Sequence, residues 1–109
     1  MTPHPARVKK ATLGTLERSV AAWHQRKYGH PARLAPTLRH LGEEIGEFHE
    51  ACVNGDRAAM AEEAADVALI LLNIVRAVAK RSLLAEMVRK HEVVKARLAS
   101  KKRKGGSRG

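Results

Sequence analysis

The stretch from Asp56 to Ser100 contains neither glycine nor proline. Those two residues most often interrupt helices and start turns, so their absence over this length favours long helices. The same stretch is rich in alanine and aliphatic residues, and it lacks the alternation of β-branched and aromatic residues that is typical of strands. With 109 residues the chain is one domain. The predicted fold class is therefore all-α.

Apolar residues at helical spacing, separated by turn signals, predict four helices. Gly29 is the expected stop of the first helix, and Asp56 is the expected N-cap of the third. Short connections between the helices indicate an antiparallel four-helix bundle. The predicted spans are Thr12 to Tyr28, a second helix with Pro36 in its first turn, Arg57 to Lys80, and Ser82 to about Leu98.

The termini are set apart by composition. We predict a flexible basic arm over residues 1–10, a helical domain over residues 11–99 and a disordered basic tail over residues 100–109. The tail could contact nucleic acid weakly, although a solvated basic tail is the commoner explanation. A core this small is often completed by pairing with a copy of the same chain, so we expect a homodimer or homotetramer.

The single cysteine, Cys52, excludes an internal disulfide and a cysteine-based zinc site. Its apolar helical position predicts a small core residue. We expect a cytoplasmic protein, because the chain suits a reducing compartment and opens without the apolar segment of a signal peptide. The longest apolar run, residues 67–72, is too short to cross a bilayer, so no membrane association is expected.

The charges are distributed unevenly along the chain. The net charge is +10, yet eight of the eleven acidic residues fall between Glu43 and Asp66, where Arg57 is the one basic residue. Solvated helix faces usually mix both signs, because like charges at helical spacing repel each other. A divalent cation that neutralises the segment is the best explanation; a solvated acidic face is the alternative.

Two pairs of carboxylates stand at the same spacing on consecutive helices. Glu44 and Glu47 are three residues apart, as are Glu63 and Asp66, so each pair shares a helix face. If the two helices pack antiparallel, the four carboxylates can converge. Oxygen ligands without nearby Cys or His suit Mg²⁺, with Mn²⁺ as the alternative, bound together with a phosphate substrate. Gly42 and Gly46 on the second helix would leave room for a helix or ligand to approach.

The motifs resemble those of a known family. Residues 41–48, LGEEIGEF, and residues 61–73, AEEAADVALILLN, are similar to the EExxE and ExxD motifs of the MazG-like all-α nucleotide pyrophosphohydrolases. The resemblance covers roughly residues 15–98. It implies hydrolysis of a nucleoside triphosphate between the α and β phosphates, giving a monophosphate and pyrophosphate, with magnesium required.

The resemblance also implies roles for individual residues. Glu44, Glu47, Glu63 and Asp66 fall on the family's metal ligands, and Glu43 is the additional glutamate of EExxE. Two departures from the family pattern are Val94, where asparagine is common, and His40, where lysine is common. The positions that correspond to substrate contacts are Asn73, Lys90 and Arg97, and a helix-one aromatic that could hold the base is Trp23.

For the chemistry, the hypothesis is in-line attack of a metal-activated water on the α-phosphorus. Glu47 or Glu43 could orient or deprotonate that water, and Lys90 and Arg97 could complement the leaving pyrophosphate. The sequence leaves purely structural alternatives open. Trp23 could be a core residue, Asn73 a buried amide that hydrogen-bonds to backbone, and Lys90 and Arg97 ordinary exposed residues.

Two other functions stay open on the sequence. One keeps the fold and changes the substrate to dUTP, dCTP or phosphoribosyl-ATP. The other is a non-catalytic helical interaction module whose basic tail binds nucleic acid.

Overall fold

The computed structural model describes residues 12–108 and contains four α-helices and no strand within that range. The predicted all-α class is confirmed. The predicted basic arm over residues 1–10 lies outside the described residues. None of the described helices combines the length and the apolar character that a membrane span needs. The helices are α1, Leu13–Tyr28; α2, Leu34–Asn54; α3, Arg57–Ala77; and α4, Leu83–Arg108.

Local sequence signals set most of the helix ends. Gly29 ends α1 in the left-handed conformation, with φ of 76°, which glycine adopts without steric cost. The Asp56 carboxylate caps α3 by accepting a hydrogen bond from the N–H of Ala59 at 3.1 Å. The Ser82 hydroxyl caps α4 in the same way, with the N–H of Ala85 at 3.2 Å. These three end signals are confirmed.

Two helix ends differ from the prediction. α3 ends at Ala77 rather than Lys80, because the chain turns there and Lys80 itself takes a positive φ of 58°. α4 continues past Leu98 to Arg108, so residues 100–108, predicted as part of a disordered tail, are helical. The lysine and arginine residues of this region have good helix propensity and no proline interrupts them, whereas Gly105 and Gly106 have low propensity.

The core lies along α3, which packs against α1, α2 and the start of α4. Its buried residues are Ile70, Leu72, Asn73 and Ile74, so α3 is the central helix of the described chain. α2 and α3 form an antiparallel hairpin, the most extensive helix contact in the described chain. On α2 the side that faces α3 carries buried Ala51.

α4 is held to the body mainly at its beginning. The Glu17 carboxylate of α1, 2% exposed, accepts hydrogen bonds from the Leu84 N–H at 2.6 Å and from the Ser82 hydroxyl at 2.9 Å. α4 makes no contact with α2 among the described residues. Further along α4, Met87 and Leu98 are 51% and 62% exposed. The closed four-helix bundle is therefore not confirmed.

The outer face of α2 is also uncovered. Leu38 and Ile45 are each 49% exposed, and Cys52 is exposed rather than part of the core, so that prediction was wrong. A Cβ atom added at Gly42 or Gly46 would meet nothing within 4 Å, so no helix of this chain uses the space these glycines leave. The radius of gyration is 17.9 Å, against about 13 Å for a compact chain of this length. One chain alone leaves much of its apolar surface open to solvent.

We predict that Glu17→Ala lowers the free energy of unfolding by about 2 to 4 kcal/mol, because two buried donors on α4 lose a charged acceptor. Urea denaturation followed by circular dichroism measures the change. Glu50→Ala, at an exposed position of α2, is the control and should stay within about 0.5 kcal/mol of the wild type. Equal stabilities of the two variants would contradict the role of Glu17 in holding α4.

Candidate metal centre and nucleotide cavity

The antiparallel hairpin of α2 and α3 brings acidic side chains together between the two helices. Glu44, Glu63 and Asp66 each place a carboxylate oxygen so that the three atoms lie within 4.8 Å of one another. The Oε2 atoms of Glu44 and Glu63 are buried and have no hydrogen-bond partner. Three carboxylates this close repel one another in the ionised state, and two of their oxygens lack donors. The cluster therefore has unused capacity to bind a cation or protons.

The effect of this crowding is clearest at Glu63. The protonated Glu63 carboxyl donates a hydrogen bond to Glu44, and this contact, desolvation, and a hydrogen bond to and charge repulsion from Glu47 raise the pKa of Glu63 from 4.5 to about 7. Glu47 is thus part of the same cluster, although it is not among the three closest carboxylates. The predicted four-carboxylate arrangement is brought together, with Glu47 at its exposed edge.

One imidazole borders the cluster. The Nε2 atom of His40 lies 3.3 Å from Oε1 of Glu44, one helical turn further along α2. The His40 side chain is 57% exposed, whereas that of Glu44 is 15% exposed. His40 stands where the resemblance implied a lysine, and it makes a contact that a protonated imidazole strengthens. It links the acidic cluster to the neighbouring cavity.

The donor set fits a hard divalent cation. Glu44, Glu63 and Asp66 offer only oxygen atoms, which Mg²⁺ and Mn²⁺ prefer, and the unpartnered Oε2 atoms of the two glutamates are in position to act as ligands. No cysteine takes part, and His40 already contacts Glu44, so the cluster is a poor zinc site.

A cavity of about 800 Å³ adjoins the cluster, bounded by α1, the first turns of α2 and the middle of α3. The rings of Trp23 and Tyr28 meet edge to face, with centroids 6.5 Å apart, on the α1 side. Asn73 on the α3 side is 8% exposed, and its Oδ1 atom is buried without a partner. Apolar walls with a few polar groups are typical of sites for flat organic ligands. The cavity lining includes Trp23, Arg26, Tyr28, Arg33, His40 and Asn73.

The cavity bears on two predicted substrate contacts. Trp23 is 51% exposed and lines the cavity, so in the single chain it is not a core residue. Asn73 is buried, but no backbone group donates a hydrogen bond to its Oδ1 atom, so the alternative of a backbone-satisfied amide does not hold for that atom. Both side chains are therefore placed where a ligand in the cavity would touch them.

Sequence reasoning missed several lining residues, above all Tyr28, Arg26 and Arg33. Tyr28 and Arg26 lie in the last turn of α1, and Arg33 precedes α2, so only the folded α1–α2 connection brings them together. The prolines that flank this connection, Pro31 and Pro36, mark a turn but do not reveal which side chains face inward.

Three predicted residues are not brought to the cluster. Glu43 is exposed and has no contact with the other carboxylates. Lys90 and Arg97 are exposed on α4, which does not contact α2 among the described residues. They do not line this cavity, and they form no ion pair among the described residues. Their implied roles stay predictions.

The described residues thus form four helices with clustered carboxylates beside an aromatic-walled cavity. The family model described as phosphoribosyl-ATP pyrophosphohydrolase matches residues 15–97. The chain therefore belongs to the phosphoribosyl-ATP pyrophosphohydrolase family, a member of the all-α MazG-like superfamily. Comparison with curated proteins and with solved structures gave no match.

The motifs resemble those of the MazG-like superfamily as a whole. The family model identifies one family within that superfamily. Its members are pyrophosphohydrolases, which are hydrolases of acid anhydrides, and they depend in general on divalent metal ions. The match covers α1 from residue 15, all of α2 and α3, and α4 up to residue 97, so it includes every residue of the acidic cluster.

We predict that the metal-free protein loses thermal stability as the pH rises from 5 to 8. A raised pKa in the folded state favours the protonated form, so the stability that Glu63 contributes is present below pH 4.5 and is lost as the pH passes about 7. Mg²⁺ competes with that proton and should raise the melting temperature more at pH 8 than at pH 5.5. Differential scanning fluorimetry with EDTA or Mg²⁺ measures both effects.

Glu63→Gln should flatten the pH dependence and remove most of the stabilisation by Mg²⁺. Glu62→Gln, the exposed neighbour, is the matched control and should keep both. If the Glu62 variant and the Glu63 variant respond alike to Mg²⁺, the carboxylate cluster is not a metal centre.

Proposed function

We propose that this protein is a Mg²⁺-dependent nucleotide pyrophosphohydrolase that cleaves nucleoside or deoxynucleoside triphosphates between the α and β phosphates. The single observation that carries the proposal is the convergence of Glu44, Glu63 and Asp66 within 4.8 Å at the edge of a cavity large enough for a nucleoside. Family membership supports the reaction type.

The arrangement suggests how the substrate would lie. Glu44, Glu63 and Asp66 would hold the cation with the phosphates, while the base would enter the cavity between Trp23 and Asn73. Aromatic rings bind a base by stacking, and the unpartnered Oδ1 of Asn73 can accept a hydrogen bond from a sugar hydroxyl or a base amino group. The bond to be broken would then lie beside the carboxylates.

Hydrolysis of the anhydride requires a water that attacks the α-phosphorus and loses a proton. A divalent cation, when bound, lowers the pKa of such a water and neutralises charge on the phosphate oxygens. Of the two candidate bases we propose Glu47; the interaction of Glu47 with Glu63 supports this choice, whereas Glu43 is exposed. Glu47 would orient the water and accept its proton.

A second substrate is favoured by a specific observation. The matching family is described by its action on phosphoribosyl-ATP, which carries the same triphosphate on a larger nucleoside. The α–β cleavage and the carboxylates are common to both substrates. The two substrates differ only in the group that the cavity must accommodate next to the base.

We also propose that the functional form is a homo-oligomer, with a dimer as the simplest case. The outer face of α2, with Leu38, Ile45 and Cys52, and the apolar side chains of α4 are uncovered in a single chain. Gly42 and Gly46 on the same α2 face would let another helix approach closely. A second copy could also bring Lys90 and Arg97 of its α4 to the leaving pyrophosphate.

We predict that Glu44→Gln and Asp66→Asn each reduce pyrophosphate release by about a hundredfold or more, because each removes a charged ligand from a cation that supplies several kcal/mol of stabilisation. Pyrophosphate is detected by an enzyme-coupled assay with a panel of nucleoside triphosphates, deoxynucleotides and phosphoribosyl-ATP in Mg²⁺. Glu62→Gln is the control and should retain near wild-type rates. Persistence of the wild-type rate in Asp66→Asn would refute the assignment.

The panel also separates this proposal from a non-catalytic helical module. A module would release pyrophosphate from no member of the panel and would show no stabilisation by Mg²⁺. Orthophosphate as the released product would mean cleavage between the β and γ phosphates and would likewise contradict the proposal.

For the oligomer, Ile45→Glu should shift the protein to a monomer in size-exclusion chromatography with light scattering, because a charge replaces apolar surface on the outer face of α2. Gln25→Glu, which adds the same charge at an exposed position of α1, should leave the oligomer intact. An unchanged oligomer in Ile45→Glu would show that this face is not the interface.

A further inference from the structure

We propose that the end of α4 is a docking surface for double-stranded DNA, which it binds through the phosphate backbone without reading the sequence. The surface is the distal segment, defined as residues 99–108 of α4. Among the described residues, none of this segment lines the cavity or belongs to the carboxylate cluster. The inference is therefore independent of the proposed function and adds a second binding surface to the protein.

The folded body holds α4 mainly at its start. The helix is 26 residues long, which is about 39 Å at the rise of an α-helix. The hydrogen bonds of Glu17 that fasten it involve Ser82 and Leu84, and every residue from 94 to 102 is exposed. The exposed large apolar side chains of α4 end at Leu98, so the distal segment lies beyond the surface proposed for the oligomer. It is accessible to a large partner.

The charged residues at the end of the chain are all positive. No acidic residue follows Glu92, and the basic residues beyond it are Lys95, Arg97, Lys101, Lys102, Arg103, Lys104 and Arg108. Lys95, which lies nearer the body, forms an ion pair with Glu92 at 3.2 Å. Lys101 and Lys102 are exposed and form no ion pair among the described residues. The positive charge of the distal segment is thus open to an external anion.

The spacing of these cations costs the helix stability. Arg97, Lys101, Lys104 and Arg108 occupy positions four, three and four residues apart, so these positions share one face of α4. Like charges at such spacing repel each other and destabilise a helix. A row of phosphates along this face would replace the repulsion with attraction, so an extended polyanion stabilises the helix that binds it.

The density of positive charge in the distal segment is close to the charge density of a nucleic-acid duplex. Its five cations fall between residues 101 and 108, a rise of about 10 Å, which gives one charge per about 2 Å. Double-stranded DNA carries one negative charge per about 1.7 Å of its axis. Lysine and arginine contacts to phosphates supply most of the affinity in binding that ignores sequence. The segment is suited to contacts of this kind.

Other features of the segment favour duplex DNA over other anionic partners. No aromatic residue follows Phe48, so α4 offers no ring on which the bases of a single strand could stack. The segment has no apolar side chain larger than that of Ala99, so it lacks an anchor for a lipid surface. A helix with its side chains is about 10 to 12 Å wide and fits the major groove of B-form DNA, about 12 Å wide, whereas the major groove of duplex RNA is too narrow.

The first test measures binding of a short fluorescent DNA duplex of random sequence by anisotropy, in EDTA, without nucleotide and at several salt concentrations. The distal variant combines Lys101→Gln, Lys102→Gln and Arg103→Gln. We expect it to bind about tenfold or more weakly than wild type, and the slope of log Kd against log salt to fall by about 2 to 3, because each lost phosphate contact removes about 0.9 from that slope.

A matched control removes the same charge from the body of the protein. It combines changes at exposed arginines of α1, α2 and α3, namely Arg18→Gln, Arg39→Gln and Arg57→Gln. We expect its affinity for the duplex to stay within about threefold of wild type, because it loses distant charge but no phosphate contact. Equal weakening in the two triple variants would mean that net charge alone attracts DNA and would overturn the proposal, as would a wild-type protein that does not bind the duplex at low salt.

Competing ligands test the choice of partner. Wild type should bind the DNA duplex at least about fivefold more tightly than duplex RNA or single-stranded DNA of the same length, because neither of these offers the same groove. Vesicles of phosphatidylserine and phosphatidylcholine, and polyglutamate, should bind more weakly still. Binding of any of these ligands as tight as that of the DNA duplex would overturn the assignment.

The rate of pyrophosphate release separates this surface from the proposed active site. The distal variant should lose DNA binding and keep the wild-type rate, since none of its three changes touches the cluster or the cavity. Loss of both activities in the distal variant would overturn the separation of the two sites. DNA binding by a protein that hydrolyses no nucleotide would support the docking surface and refute only the proposed function.

Discussion

The repulsion among carboxylates between α2 and α3 is the constraint on which the rest of the structure depends. Packing Glu44, Glu63 and Asp66 within 4.8 Å raises the free energy of the folded chain unless a proton or a cation neutralises them. The pKa of Glu63, raised to about 7, expresses that cost. The hairpin that imposes it is held by apolar contacts elsewhere along α3, around Leu72 and Ile74. Hydrophobic burial thus holds together an arrangement that electrostatics alone would open.

Metal binding and stability are expected to be coupled in this molecule. A bound cation would relieve the repulsion and strengthen the same hairpin that positions its ligands, so metal binding and folding would favour each other. The neighbouring cavity depends on that hairpin as well, because one wall belongs to α3 and the rim to the start of α2. His40 lies between the two, in contact with Glu44 and exposed to the cavity. A ligand that spans both would contact groups of opposite charge at its two ends.

The sequence predicted the features that local spacing determines. Carboxylates three residues apart on consecutive helices had to share faces, and Gly29 and Asp56 carry backbone and capping chemistry that acts within one turn. It could not predict contacts between distant segments. The hydrogen bonds of Glu17 to Ser82 and Leu84 join residues more than sixty positions apart, and nothing near Glu17 in the sequence announces them. Arg26 and Arg33, which line the cavity, were missed for the same reason.

The apolar stripes were harder to interpret than the charges. A stripe at helical spacing shows that a helix face is to be buried, but it does not say whether the covering surface belongs to the same chain. Cys52 was therefore assigned to an internal core, but in the single chain it is exposed together with Leu38 and Ile45 on the outer face of α2. α4 poses the same problem, since only its beginning packs against the body. Both errors come from treating one copy as the complete folding unit.

The central claim is that the carboxylate cluster directs water to the α-phosphorus of a nucleoside triphosphate. Hydrolysis in ¹⁸O-labelled water, with the products analysed by mass spectrometry, tests it most directly. The account predicts that the label enters the nucleoside monophosphate, that pyrophosphate stays unlabelled, and that both products require Mg²⁺. Label in pyrophosphate, or in orthophosphate released from the γ position, would contradict it.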